Sequence, residues 1–459
     1  MSLRRIIVIL IFVNMWWSFL YPQAKRDPRM TALAGSYTVI AEGVYAVGVN
    51  PANLAYQFDK PFMWQMGTIN FGFVNNFFSL ERWSGLSGVN LERNNQEKKN
   101  EIFNELAYSH ALNLTVDTHM AIPVMNYSAG NMAFTSDIVM VSDLSVPEDV
   151  FRLMLEGNPM GESMDISLDF ETIGLAEYGF SFAVPYEKFS WGVTLKYLQG
   201  LFYLGIDPDS TEISLVTDTT AFYGSGRYFI RQGIGGSGFG LDIGFRTNEF
   251  NGWTLGVSMI NLFGTISWNK PSLIKDILGV DEQHGLFTFG GEEVVDGSAM
   301  VYEFEIDSLN AVQMIDMDYD DIFTSSRLVV RDTTDEGRAR PFSTRYPSLL
   351  RFGISKQVDP DILIISDLVA GFQDKLYLMR RWKWSIGAEF TRFPGFPLRI
   401  GYSWAGADFK EFGLGFGWYF GPVMFDFGLA FRNGLWIHSM EGLGISMGLT
   451  ITGLKGRGK

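Results

Sequence analysis

The chain has 459 residues, no cysteine and a formal net charge of −15. The missing cysteine excludes disulfides, thiolate nucleophiles and Cys-ligated metal centres, and the acidic balance argues against a nucleic-acid binder. With 39 Phe, 18 Tyr, 12 Trp and 50 Gly and little helical patterning, the composition points to many strands and tight turns.

At the N-terminus, Arg4 and Arg5 precede an apolar run from Ile6 to Leu20. That run is shorter than the roughly 20 residues of a transmembrane helix. A basic start, a short apolar stretch and then Pro22-Gln23-Ala24 predict a secretory signal peptide over 1–24, with cleavage near Ala24. Residues 31–48 are mostly small, with one acid, Glu42. Asn50 precedes Pro51 and should end any helix there. A small-residue segment of this kind suits passage through a confined lumen, so 25–61 is read as a plug segment that includes Glu42, Asn50, Pro51 and Ala52. A first strand or a periplasmic leader is the alternative.

From residue 62 onward, apolar residues recur at every second position. Leu443, Ile445, Met447, Leu449 and Ile451 alternate with Gly444, Ser446, Gly448, Thr450 and Thr452, and Val423–Phe431 and Phe412–Phe420 show the same pattern. Alternate residues of a strand face opposite sides. The polar face carries mostly Gly, Ser and Thr, and aromatics such as Trp191, Trp253, Trp384 and Trp418 sit near strand ends. Short and long connections alternate. These three features favour a membrane barrel with aromatic girdles and short periplasmic turns over a soluble sandwich. The predicted strands are 62–73, 109–122, 131–142, 174–185, 189–200, 238–247, 252–261, 348–357, 361–370, 383–392, 398–405, 410–420, 422–431 and 443–453. The fold class is therefore all-β: a fourteen-stranded antiparallel transmembrane barrel over 62–453, ending in a basic periplasmic tail at 454–459. Helices are expected over 96–106 and 147–156. The segment 262–347, with 16 acidic and 7 basic residues, is expected as a long, solvated extracellular loop. Its Asp316, Asp318, Asp320 and Asp321 lack the glycine and glutamate spacing of an EF-hand.

Met30–Gly43 leading into Asn50-Pro51-Ala52-Asn53-Leu54-Ala55 resembles the N-terminal element of FadL-like barrels and of the related PorV/PorQ-like proteins of Bacteroidetes, with Asn53 in place of the usual glycine. Glu177-Tyr178-Gly179 and Gly192–Gly200 resemble an uncharacterised branch of the same superfamily. The resemblance implies a fourteen-stranded outer-membrane barrel with its N-terminal segment in the lumen, in a Gram-negative envelope. FadL-like members take up fatty acids, whereas PorV-like members serve secretion and surface attachment.

The faces opposite the aromatic ones name the lumen: Asp117, His119, Asp137, Glu177, Lys196, Asp242, Arg246, Arg351, Glu389, Arg399 and Asp426. Structural ion pairing is the leading role for these charges, ahead of a substrate or ion pathway. Chemical motifs fail their context tests. His110 and His119 fall on opposite strand faces, so they cannot share a metal. Gly233-Ile-Gly235-Gly236-Ser-Gly238 matches G-x-G-x-x-G but precedes a strand, and is read as a flexible loop. No Ser–His or Asp–His set is plausible, so neither an enzyme nor a cofactor is expected. The expected partners are outer-membrane lipid, a hydrophobic ligand and an envelope protein, not nucleic acid. Passage of an apolar small molecule is the leading function, and a non-transporting barrel that anchors or receives secreted proteins is the rival. A strand interrupted beside a lumen pocket would favour transport. A closed, salt-bridged lumen with large loops would favour the rival.

Overall fold

A computed structural model describes residues 25–58, 60–87, 96–109, 111–157, 159–207, 210–219, 221–269, 287–289, 292–294, 298–309, 325–330, 342–372, 382–405 and 409–453. The predicted signal peptide, the basic tail, His110, His284 and the Asp316–Asp321 cluster lie outside the described residues.

Fourteen strands close into one antiparallel barrel: β1 (Phe62–Asn75), β2 (Ala111–Ala121), β3 (Met132–Pro147), β4 (Asp169–Pro185), β5 (Phe189–Ile206), β6 (Phe222–Thr247), β7 (Trp253–Ser267), β8 (Leu349–Asp359), β9 (Ile362–Gly371), β10 (Trp382–Phe390), β11 (Leu398–Trp404), β12 (Lys410–Phe420), β13 (Val423–Arg432) and β14 (Gly442–Thr452). Each pairs with the next. The ring closes where β14 meets β1, from Met63 opposite Thr452 to Val74 opposite Gly442. Closure removes the open edges that an extended sheet would expose. The period-two pattern sets the register: Leu449 and Met447 are exposed, while Thr450, Ser446 and Thr452 are buried. Connections at one end are as short as Gly421 and Pro422, and those at the other end include the long segments after β1, β3 and β7.

Three regions differ from the sequence reading. First, β6 starts at Phe222, so the Gly233–Gly238 run lies within a strand and not in a loop. Glycine is used there because Trp268 lies flat on it. A Cβ at Gly200, Gly233 or Gly236 would come within 2.7, 2.6 and 2.9 Å of that ring. Second, 262–347 is not simply a solvated loop. Its start continues β7 to Ser267, and strand Ser298–Leu309 pairs with the outer half of β6 and with strand Ser325–Val330. This extension buries its own apolar cluster, including Tyr228, Ile230, Met300, Tyr302 and Phe304. The acids on its strands occupy the opposite face, where Glu303 pairs with Arg327 at 2.5 Å. Third, among the described residues the α-helices are α1 (Pro28–Ala32), α2 (Leu80–Leu86), α3 (Gln96–Ser109) and α4 (Glu148–Glu156), of which α2 was not anticipated. Asp27 caps α1 through Met30 N, and Ser79 caps α2 through Arg82 N.

Candidate functional site

A fourteen-stranded wall encloses more space than its own inward side chains can fill, since about eight strands give a side-chain-filled interior. Here residues 25–57 occupy that space. The segment runs through α1, a 3₁₀ turn at Gly43–Ala46 and another at Pro51–Tyr56, and nearly all of it is buried. Its backbone passes close to the wall because the wall is glycine where they meet. A Cβ at Gly192 would lie 2.5 Å from Pro51 C, one at Gly413 2.5 Å from Ala32 O, and one at Gly428 2.3 Å from Pro28 O. Met30, Leu33, Tyr37, Val39 and Leu54 form an apolar cluster with Ala133, Ala183 and Ile365 of the wall.

Wall carboxylates hold the segment by its cations and amides. Arg26 donates to both oxygens of Glu411 at 3.0 Å. Arg29 donates to both oxygens of Glu389 at 2.8 Å. Lys25 pairs with Asp137. Asp367 Oδ2 accepts from Tyr37 N and Thr38 N at 2.8 Å, from Thr38 Oγ1 at 2.6 Å, and from Arg351 at 3.1 Å. Each carboxylate is buried, and such charges persist only when paired and hydrogen-bonded.

The sequence-predicted lumen residues fall into several of these groups. Glu389 and Arg399 meet at 2.6 Å, and Arg399 reaches Asp426 at 2.6 Å. Asp117 binds Arg432 at 2.6 Å. Lys196 sits between Glu177 at 3.2 Å and Asp242 at 3.0 Å. His119 Nε2 is 3.1 Å from Asp137, and its Nδ1 is 2.7 Å from Arg26 O. Arg246 faces no carboxylate within salt-bridge distance among the described residues, and its guanidinium stacks 4.1 Å over the Tyr56 ring. Of the residues predicted for the plug, Glu42 pairs with Lys60 at 2.6 Å and Arg29 at 3.5 Å. Asn50 accepts from Ala52 N and donates to Phe245 O, both at 3.1 Å. Pro51 and Ala52 lie against β5, where Ser190 Oγ donates to Ala52 O at 3.0 Å. Burial pushes the Asp27 carboxyl up to about 6, against the lowering influence of Met30 N–H and Arg29.

Sequence reasoning missed Asp367, Lys383, Glu411 and Arg432 on the wall, and Lys25, Arg26 and Arg29 on the segment. A signal for the latter existed. The predicted lumen set has six carboxylates against four lysines and arginines, and a buried interior with excess acid needs cations from elsewhere.

Among the described residues, β6 and β7 slip register between Met259 and Thr265, and the wall is also broken beside β1. β1 pairs with β2 through Thr68–Asn75, and with a short strand, Asn126–Ala129, through Phe62–Gln65. Residues 123–125 between them leave the ladder, whereas Ile122 N still donates to Ser136 O at 2.8 Å. Val124 has a φ of 71°, a strained conformation for a β-branched residue. Val124 and Met125 are about half exposed on the outer surface, and Trp64 Nε1 donates to Val124 O at 2.8 Å. On the inner side, Asn126 donates to Gln65 Oε1 at 2.7 Å and to Asp137 Oδ1 at 3.1 Å. A cavity of about 20 Å³ lies directly behind, lined by Lys25, Gln65, His119, Asn126, Thr135 and Asp137 among others. A second cavity of about 20 Å³ lies between Arg29, Glu42, Lys60 and Tyr419. Each has room for about one water molecule.

No curated protein matches this chain in sequence. Among solved structures, the toluene transporter TbuX of Ralstonia pickettii superposes with a TM-score of 0.51 at 11% identity, over 94% of this chain and all of that one (100%). The toluene transporter TodX of P. putida gives 0.51 at 10% identity, covering 94% and 99%. At such identities the likeness is one of fold: the same class of closed barrel. In sequence, residues 51–429 match a family of unknown function (DUF5723), and the chain belongs to that family.

Proposed function

We propose that the chain is an outer-membrane barrel through which small apolar molecules pass, caught here in a closed state. Residues 1–24 export it, residues 25–61 plug it, and the long connections face outward. The carrying observation is the wall break at 123–125, which stands beside an internal cavity and is held on its inner side by the hydrogen bonds of Asn126. A route from lumen to bilayer through that break opens when the segment withdraws Lys25 from Asp137. The fold shared with two toluene transporters supports the reading at the level of architecture. With a transporter as the reading, no catalytic role is assigned to any residue.

The test uses the absence of native cysteine. Leu33→Cys with Gly387→Cys places two thiols where a Cβ at 387 lies 3.3 Å from Leu33 Cβ, close to disulfide range. Intact Gram-negative cells expressing the chain should accumulate labelled toluene faster than cells without it. Oxidation of the double variant should stop this, and reductant should restore it. Accumulation that ignores the lock overturns the gating role of the segment. No accumulation with any variant favours the rival, a barrel that receives or anchors another envelope protein. The salt-bridged lumen and the folded extension on β6 favour that second reading.

A further inference from the structure

On the outside of the barrel, a trough of about 670 Å³ is lined by six strands, β5 to β10. This volume lies within the roughly 300–1,000 Å³ of small-molecule sites. Phe245, Val257, Phe352, Leu368 and Trp384 line it as successive cross-strand neighbours on β6, β7, β8, β9 and β10. The trough therefore runs along the hydrogen-bonding direction, across roughly 19 Å at the usual strand spacing. It exists because Val257 and Ser366 are small where their neighbours are large. Its polar groups satisfy one another, as groups facing hydrocarbon must. Trp384 Nε1 donates to Ser366 Oγ at 2.9 Å, and Ser366 Oγ donates to Ser385 O at 3.0 Å. That pair fixes the indole as a wall of the trough.

The other end reaches the short-turn side at Phe189 and Thr247. There Lys356, on the same outward face as Phe352 and Ile354, lies 4.9 Å over the Trp253 ring and donates to Asn251 O in the turn. It has no carboxylate partner among the described residues. A tryptophan and an unpaired lysine at a strand end mark the headgroup level of a bilayer.

We infer that this trough binds one glycerophospholipid of the inner leaflet, with an acyl chain lying across the strands and its phosphate at Lys356. The inference rests on the outer-membrane reading but is independent of transport. The full chain, extracted from outer membranes in mild detergent, is examined by native mass spectrometry with added phosphatidylethanolamine. The wild type should retain one lipid through delipidation. Val257→Trp fills the trough and should reduce retention roughly tenfold, a loss of about 1.4 kcal/mol, because the indole takes the space that the acyl chain would occupy. Met447→Trp, on the outward face of β14 far around the ring, should retain lipid as the wild type does. Lys356→Gln should weaken retention by several fold. Equal retention by Val257→Trp and wild type, or equal loss in Met447→Trp, would overturn the site and leave only an ordinary annulus. Unchanged retention in Lys356→Gln would overturn the phosphate assignment. Heat-modifiable gel mobility of each variant reports the barrel separately, so a chain that is no membrane barrel is distinguished from a barrel without this site.

Discussion

Asp367→Ala separates the hold on the N-terminal segment from the stability of the barrel itself. In the intact protein one oxygen of this carboxylate takes Tyr37 N, Thr38 N, Thr38 Oγ1 and Arg351. Removing it leaves two buried amides without that acceptor, at about 1–3 kcal/mol each. It also strands the fully buried Arg351 guanidinium, at about 3–5 kcal/mol. These groups share one site, so their costs do not add. The smallest figure for the stranded charge, about 3 kcal/mol, already moves the docked-to-released ratio by roughly 100-fold. The readout is a single thiol at Ala46, a position with 0% exposure in a chain that has no cysteine of its own. In outer-membrane preparations, maleimide labelling of Ala46→Cys should accelerate by about that factor when Asp367→Ala is added. The heat-modifiable barrel band should survive. Unchanged labelling would refute the idea that this carboxylate holds the segment. Loss of the band would place its main role in the wall.

Four further outcomes follow from the same structure. On the proposed membrane reading, Leu449→Arg puts a cation on the lipid-facing side and should cost about 2–4 kcal/mol of folding stability near the bilayer middle, measured by urea titration in lipid vesicles. Thr450→Arg points inward but has no room, because Thr450 is buried and bonded to Tyr45 OH at 2.7 Å; it should raise Ala46→Cys labelling instead. Trp268→Ala empties the bed formed by Gly200, Gly233 and Gly236, so about 3–5 kcal/mol should be lost and the outer half of β6 should become protease-sensitive on intact cells. Asp27, raised from 3.8 to about 6 by burial, binds its proton more tightly when docked. Its contribution to docking is therefore complete below about pH 4 and lost as pH rises through 6. Labelling of Ala46→Cys should rise across that window, and Asp27→Asn should flatten the rise.

How much of this was legible in the sequence depended on the range of the interaction. The strands Val423–Arg432 and Gly442–Thr452 announce themselves through alternation alone, because burial on one face is a local, period-two constraint. The same parity places Asp117, Glu177, Asp242 and Asp426 on the inward face. What alternation cannot supply is the partner. That Arg26 would meet Glu411, 385 residues away, depends on how the segment threads the closed ring. The glycine run in β6 was misread for a similar reason: without knowing that Trp268 covers it, four glycines in so short a span resemble a loop. The strands within 262–347 stayed hidden because acidic residues on one face masked the alternation that buries Tyr302 and Phe304 on the other.

The glycines beneath the N-terminal segment restrict how this protein can vary. At Gly192, Gly413 and Gly428 the atom that an added methyl would strike belongs to the backbone of the segment, at 2.3–2.6 Å. A side chain could swing aside, but a backbone held by four wall carboxylates cannot. Such positions tolerate no substitution unless the segment changes with them. The lumen and its occupant are therefore inherited as a matched pair: descendants with a wider or differently lined interior must first alter residues 28–52, and only then the strands around them.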